Sequence, residues 1–496
     1  MTTEESQVIR NIETGIPGLD TVLGGGLCEY SFNLIAGAPG VGKTTLVQQV
    51  LFRNATPERP ALYFTVLGEP TIKMIRYQRQ FKFFDPARVP TAVRFVNLTS
   101  EAGSGDFDAV LKRIISEVAE TNPGFVAIDS FRSMIRDKPE SDADGGAALS
   151  RFVQRLAQQL TTWEITSFLI GEYSDAERHN PVFTVADSIL WLSEDVDRNS
   201  ATRKLRVVKI RGRSQMPGLH TVRITDAGME VFPRIPEQQR RVTQSTRRLK
   251  SGVPGLDGMM GGGIPSGDVL LITGPAGTGK TTFATQFVAQ GLADSESCVV
   301  AVFEEYPDAY LARAKTGGVN FEEMVAAGRL AITYLRPLDL SVDEMLEAIK
   351  IEVANVGATR VVIDSLSGFE VALAPSYRQD FRESLYRLIG ALTATGVTVV
   401  MTAEVIDVFP DFRFTTERVS FITDDIIVQR FVEIDGHLQK VLAVVKMRGS
   451  QHDTDFRTYH LTPQGAVMGE SLEGYHGITT GVPTFLGTGP GVSPDG

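Results

Sequence analysis

Cysteine is nearly missing from this chain: Cys28 and Cys298 are the only two in 496 residues. They lie in different halves and in no metal-ligand spacing, which excludes a disulfide scaffold and fits a reducing, cytoplasmic setting. Long apolar runs are missing as well. Nothing approaches the run of about eighteen apolar residues that a membrane-spanning helix needs. The start, "MTTEESQVIRNIE", lacks the basic-then-apolar order of a secretory leader. Positive charge is in deficit, with 49 Lys and Arg against 60 Asp and Glu and a net charge of −11. That balance repels polyanions, and no loop rich in lysine or aromatics offers a stacking platform for single strands. Nucleic acid is therefore not the expected partner.

What is present is written twice. "TGIPGLDTVLGGGL" from Thr14 matches "SGVPGLDGMMGGGI" from Ser251. "GAPGVGKTT" from Gly37 matches "GPAGTGKTT" from Gly274, and "VVKIRG" from Val207 matches "VVKMRG" from Val444. All three pairs keep one offset of 237 residues, while "VAIDS" and "VVIDS" are 235 apart. A register this constant marks a tandem duplication of a large domain. The expected division is residues 1–233, a linker at 234–250, a second domain at 251–469, and a flexible tail at 470–496. The linker "PRIPEQQRRVTQSTRRLK" has no apolar period, and the tail is dense in Gly, Pro, Ser and Thr.

Within each half, apolar strands alternate with segments of helical period. "SFNLIAG" and "DVLLITG" run into the Gly-rich loops; "ALYFTV", "FVAIDS" and "ITSFLIGE" have "VVAVFEE", "VVIDS" and "VTVVMTAE" as counterparts. Near-continuous apolar strands suit a parallel sheet covered on both faces. Between them lie helical patterns such as "DAVLKRIISEVAE" and "DFRESLYRLIGALTA". The expected fold is α/β: a tandem P-loop NTPase domain, each copy a mainly parallel sheet flanked by helices.

The loops predict the chemistry. Gly37, Gly40, Gly42, Lys43, Thr44 and Thr45 form one P-loop, and Gly274, Gly277, Gly279, Lys280, Thr281 and Thr282 form the other. Glycines let backbone N–H groups close around phosphate oxygens at a helix N-terminus that favours negative charge. Lys43 and Lys280 would reach the β- and γ-phosphates of ATP, and the Thr44 and Thr281 hydroxyls would bind Mg²⁺. Asp129 and Asp364 end apolar strands, where a carboxylate would hold that metal; alone, such an Asp-Ser is more often a helix cap.

The two halves then diverge. "TVLGEP" from Thr65 aligns without a gap to "VFEEYP" from Val302. Glu304 and Glu305 stand at the ligand edge of the second sheet, where a carboxylate orients the nucleophile that attacks the γ-phosphate. The first half has Leu67 and Gly68 there, with Glu69 one place later and so on the opposite face of a strand. The expectation is a division of labour: the first domain binds ATP and supports assembly, hydrolysing slowly if at all through Glu69, and the second does the phosphoryl chemistry.

These motifs together resemble the KaiC proteins, double-domain relatives of RecA known from the circadian clock. The resemblance runs from about Ile9 to Gly469 and rests on "PGLD…GGG…GPAGTGKTT", "FEEYP", "VVIDS" and "KMRGSQHD" with their partners. It implies a homo-hexamer of two stacked rings with ATP between neighbouring subunits. By the same resemblance Glu304 and Glu305 match a catalytic pair, and Lys209, Arg211, Lys446 and Arg448 match basic residues presented to a neighbour's nucleotide. Ser420 in "RVSFITDD" matches the first of two adjacent phosphoacceptors, whereas Phe421 stands where the second belongs. Serine autokinase activity in the second domain is thus implied, without the usual two-site cycle. A KaiB-like partner is implied by family alone. Two other readings share the fold: a RecA-like nucleic-acid motor, which the acidic balance opposes, and an ATP-gated scaffold with little turnover.

Overall fold

In a computed structural model, the described residues are 10–66, 71–102, 106–130, 143–173, 182–197, 200–234, 247–335, 340–372, 381–405, 422–434, 436–478 and 483–485. The chain divides into two compact units, residues 1–234 and 235–496. In the first, the strands lie in the spatial order Gly228–Phe232, His220–Thr225, Ser200–Ile210, Ser188–Asp197, Phe32–Gly37, Thr166–Glu172, Phe125–Asp129, Ala61–Thr65 and Val93–Asn97. From Ser188–Asp197 onward the neighbours are parallel. The strands before it fold on as antiparallel hairpins. The second unit repeats this order, with Val269–Gly274 in the P-loop strand's place and Thr398–Glu404, Arg360–Asp364, Cys298–Val302 and Leu330–Tyr334 following.

The expected α/β duplication is therefore present, and its cause is the covered sheet. Phe32–Gly37 and Val269–Gly274 are buried at every residue. Alternate side chains serve opposite faces: Leu34 packs in one cluster with Ile114 and Leu156, while Ile35 packs in the other with Val47 and Val50 of the helix after the P-loop. That helix, Lys43–Asn54, turns Leu46, Val47, Val50 and Leu51 to the sheet. The long helix Val342–Val356 opens on a capping box between Ser341 and Glu344. "DAVLKRIISEVAE" lies inside helix Phe107–Thr121, and "FRESLYRLIGALTA" is helix Phe381–Ala394.

Two boundaries differ from expectation. Arg248–Leu249, assigned to the linker, form a short strand paired with Ile264–Pro265, so the second unit starts earlier. Arg247 anchors that start to Glu296. The tail assignment also begins too early, because strand Gly465–Ser471 continues past residue 470. Ile478 is buried against Val432, Ile434 and Val441, an apolar contact that Gly/Pro density conceals. Residues 235–246, 479–482 and 486–496 lie outside the described residues.

Candidate nucleotide site

In each unit the helix after the P-loop starts at its lysine. Gly42 precedes Lys43 with φ 103°, Gly279 precedes Lys280 with φ 101°, and neither start has a side-chain cap. First-turn N–H groups with no side-chain acceptor are the kind of donors that can take a phosphate. A Cβ on Gly42 would stand 2.5 Å from Ile224, and one on Gly279 2.9 Å from Leu461. Left-handed φ and tight packing thus both require glycine there. Gly40 and Gly277 share φ 81°. Gly37 and Gly274 approach the backbone of Leu192 and Gln429 too closely for a side chain. Thr45 and Thr282 sit half-buried in the first helical turn.

The lysines lean on their own loops. Lys43 Nζ donates to Gly37 O at 3.0 Å and Ala38 O at 2.6 Å. Lys280 Nζ donates to Gly274 O at 2.9 Å and Pro275 O at 2.8 Å. Burial pulls both ammonium groups below their ordinary pKa, and neighbouring carboxylates pull the other way.

The structure brings each residue expected to bind metal beside its partner. Thr44 Oγ1 donates to Asp129 Oδ2 at 2.7 Å. Burial raises the Asp129 pKa, while the hydroxyls of Tyr63 and Thr44 and the charge of Lys43 hold it down. Asp364 is raised by burial too, against hydrogen bonds from Thr402 and Thr281. A buried carboxylate beside a threonine hydroxyl is an all-oxygen donor set, the chemistry that suits Mg²⁺ shared with phosphate oxygens.

Glu304 and Glu305 follow strand Cys298–Val302 but take different partners. Glu304 Oε1 accepts from Ser365 Oγ at 2.9 Å, and Ser365 follows Asp364 directly. Glu305 Oε1 accepts from Arg313 Nη2 at 2.5 Å, and Arg313 also lies over the Tyr310 ring. One acid of the pair is thus aimed at the Asp364 strand end, and the other is held by a cation. Leu67, Gly68, Glu69, Ser420 and Phe421 lie outside the described residues.

The basic residues do not join their own P-loop. Lys209 pairs with Ile189 across the hairpin, at the end of the sheet where Phe32–Gly37 begins. At about 3.3 Å per residue and 4.8 Å per strand, the P-loop is roughly 15–20 Å away. Lys209 Nζ donates to Ala186 O at 2.6 Å, and Arg211 bonds Asp187 at 3.0 Å. In the second unit Lys446 donates to Thr423 O at 2.6 Å and Arg448 faces Asp424 at 3.4 Å. Both hairpins bulge at the same place, between Ile189 and Leu190 and between Ile426 and Ile427, just before each K-x-R-G motif. Such bulges re-aim the side chains that follow them.

Sequence reasoning passed over four residues here. Tyr63 OH donates to Asp129 Oδ2 at 2.6 Å, and Thr402 Oγ1 donates to Asp364 Oδ1. Glu172 and Glu404 end the strands beside the P-loop strands, in register with Gly37 and Gly274. The signal for the acids was a Glu closing both apolar runs, "FLIGE" and "VMTAE". For Tyr63 and Thr402 there was no repeated signal, because each occurs in one half only.

Comparison with known proteins agrees with this geometry. The family model described as "ATPase: KaiC" matches residues 12–235 and again 249–473. The circadian clock oscillator protein KaiC of Rippkaea orientalis (strain PCC 8801 / RF-1) is 30% identical over 500 residues, covering 98% of this chain and 94% of that one. That of Synechococcus elongatus (strain ATCC 33912 / PCC 7942 / FACHB-805) is 30% identical over 493 residues, with 97% and 93% covered. That of Parathermosynechococcus lividus is 29% identical over 484 residues, with 96% and 88% covered. The one ATPase model falls twice on the chain, once over each P-loop, so this chain belongs to the KaiC ATPase family.

Proposed function

We propose that the chain works as a cytoplasmic homo-hexamer that binds Mg-ATP at both P-loops and hydrolyses it mainly in the second unit. In the same reading the second unit phosphorylates Ser420, and the assembly serves signalling or timing. The observation that carries this is the asymmetry of the acid pair. Glu304 and Glu305 flank the Asp364 edge of the second unit, and Leu67 and Gly68 occupy those positions in the first.

The chemistry follows from the side chains. Lys280 and the uncapped helix start hold the phosphates, and Thr281 with Asp364 would hold Mg²⁺, which neutralises phosphate charge when bound. Glu304, steered by Ser365, orients the attacking water or hydroxyl and accepts its proton. Glu305, paired with Arg313, positions that neighbour rather than acting directly. The separation of Lys446 and Arg448 from their own P-loop supports a nucleotide completed by another copy of the chain, where they would stabilise charge on the transferring phosphoryl group.

The test is turnover together with intact mass. Purified chain hydrolyses Mg-ATP, E304Q lowers turnover by about a hundredfold or more, and E305Q lowers it less. Incubation with Mg-ATP adds one phosphoryl group that maps to Ser420. Wild-type turnover in the E304Q/E305Q chain would falsify the acid-pair assignment, and an unmodified chain would leave an ATPase without kinase activity.

A further inference from the structure

Strand Thr166–Glu172 lies between the P-loop strand and the strand that ends at Asp129. With neighbouring strands about 4.8 Å apart, Glu172 stands one strand from the P-loop and Asp129 two. The end of Ala61–Thr65, after which the acid pair would follow, stands three strands away. Glu172 is in register with Gly37, and the next residue, Tyr173, donates its N–H to Gly37 O at 3.3 Å. That carbonyl also accepts from Lys43. The acid is therefore fixed to the loop that receives phosphate.

Its direction follows from strand alternation. Phe168 and Ile170 pack in the cluster that holds Val47 and Val50 of the P-loop helix. Glu172, two residues further on, faces the same side, which is the phosphate side. Of the carboxylates acting on the Lys43 ammonium, Glu172 is stronger than Asp129. The second unit repeats the arrangement: Glu404 is in register with Gly274, and its charge acts on Lys280 more strongly than those of Asp364 and Glu304. The duplication has kept this acid in both halves while the pair survives in one.

We propose that Glu172 is the catalytic carboxylate of the first unit, where Leu67 and Gly68 replace the acid pair. This rests on the reading of both P-loops as ATP sites. The water oxygen bonds to the γ-phosphorus, and the bond from that phosphorus to the β–γ bridging oxygen breaks. ADP leaves with that oxygen. The water proton passes to the Glu172 carboxylate and then to solvent, so the products are ADP, phosphate and one proton.

The experiment uses the full chain carrying E304Q, E305Q and E404Q, which removes the strand-end acid of the second unit together with its pair. Adding Glu172→Gln should lower the remaining Mg-ATP turnover by about a hundredfold. Affinity for a fluorescent ATP analogue should change by less than about threefold, and the acidic limb of the pH–rate profile should disappear. Where E172Q melts below its parent, E172D decides: a slower rate with the acidic limb kept supports the proposal, and an unchanged rate without a limb overturns it. Equal turnover with and without E172Q overturns it, as does a parent with no turnover at all. Affinity falling as far as turnover also overturns it, since the acid would then only hold Lys43. A parent that keeps the full wild-type rate defeats the acid-pair reading separately, and E172Q still decides the role of Glu172.

Discussion

Replacing Asp425 by Asn should stabilise the second unit, and by more as the pH rises. Asp425 opens strand Asp425–Ile434, pairs with Leu270 and Met447, and is fully buried. Among the described residues neither carboxylate oxygen has a hydrogen-bond partner. The Arg448 N–H donates to Asp424 O at 3.1 Å, and its proximity also favours the charged form of Asp425. Burial pushes the Asp425 pKa up to about 8; the negative charges of Asp268 and Asp424 add to the rise, and Arg248 opposes it. The first unit solves the same place with neutral groups, Ser188 beside Asn33, which hydrogen-bond each other.

The direction of the effect follows from linkage. An unfolded Asp titrates near 3.9, so between roughly pH 4 and 8 the folded chain keeps a proton that the unfolded chain has released. Stability from this group is fully present below the unfolded value and is lost as pH rises through the folded one. At about 1.4 kcal/mol per unit, four units set an upper limit of about 5–6 kcal/mol, which local relaxation and water entry reduce to about 2–5. Asn keeps the shape and never ionises. Urea unfolding at pH 5, 7 and 9, with the first unit as internal reference, should show D425N ahead by about 2–5 kcal/mol at pH 9 and by about 1–2 at pH 5. A difference between the two chains that does not change with pH would refute the reasoning.

Arg360, 1% exposed, donates to Glu296 at 2.5 Å and to the carbonyls of Lys250 and Phe287. Arg360→Met should cost the second unit about 3–5 kcal/mol in urea unfolding, because among the described residues Glu296 then keeps as ion-pair partner the exposed Arg247. The companion chain R360M/E296L should recover most of that loss, and a single mutant as stable as wild type would mean the pair is not buried as described. Tyr63→Phe and Thr402→Val each remove one donor from a buried carboxylate, Asp129 or Asp364, that we propose as a Mg²⁺ ligand. Each should weaken Mg²⁺-dependent binding of a fluorescent ATP analogue in its own unit by about 1.5–3 kcal/mol, read by titration with Mg²⁺ at fixed analogue. No change in the Mg²⁺ midpoint would count against Asp129 and Asp364 as ligands.

Much of the architecture was legible because it is local or repeated. Apolar runs such as Phe32–Gly37 can be satisfied only by a sheet covered on both sides, and a Gly-rich loop before Lys43 has few other uses. Repetition sets the register of the two halves against each other in the sequence itself. What escaped depends on tertiary neighbours. Arg248 and Leu249 become a strand because Ile264 and Pro265 are there to pair with, and nothing within "TRRLK" requires it. Ile478 leaves the tail for a cluster formed by hairpin residues some forty positions earlier, a contact invisible to composition. Glu172 and Glu404 were present in the strand endings, but their closeness to the P-loop comes from strand order, since three other strands intervene in sequence and none intervenes in space.

The donors to Asp129 and Asp364 show where the two units differ. A buried carboxylate needs more than one hydrogen bond, and in both units the threonine after the P-loop lysine supplies the first. The second comes from different strands: Tyr63 on Ala61–Thr65 in one unit and Thr402 on Thr398–Glu404 in the other. The 237-residue offset places Val300 opposite Tyr63, and pairing with the P-loop strands places Ile170 opposite Thr402, so each half is apolar where the other is polar. Neither substitution is neutral alone, because losing one donor before gaining the other leaves Asp129 or Asp364 short of a partner in a buried place. The two units therefore draw the second donor to this carboxylate from different strands. The acid pair, present in one half only, also differs between the units, whereas the strand-end Glu is common to both.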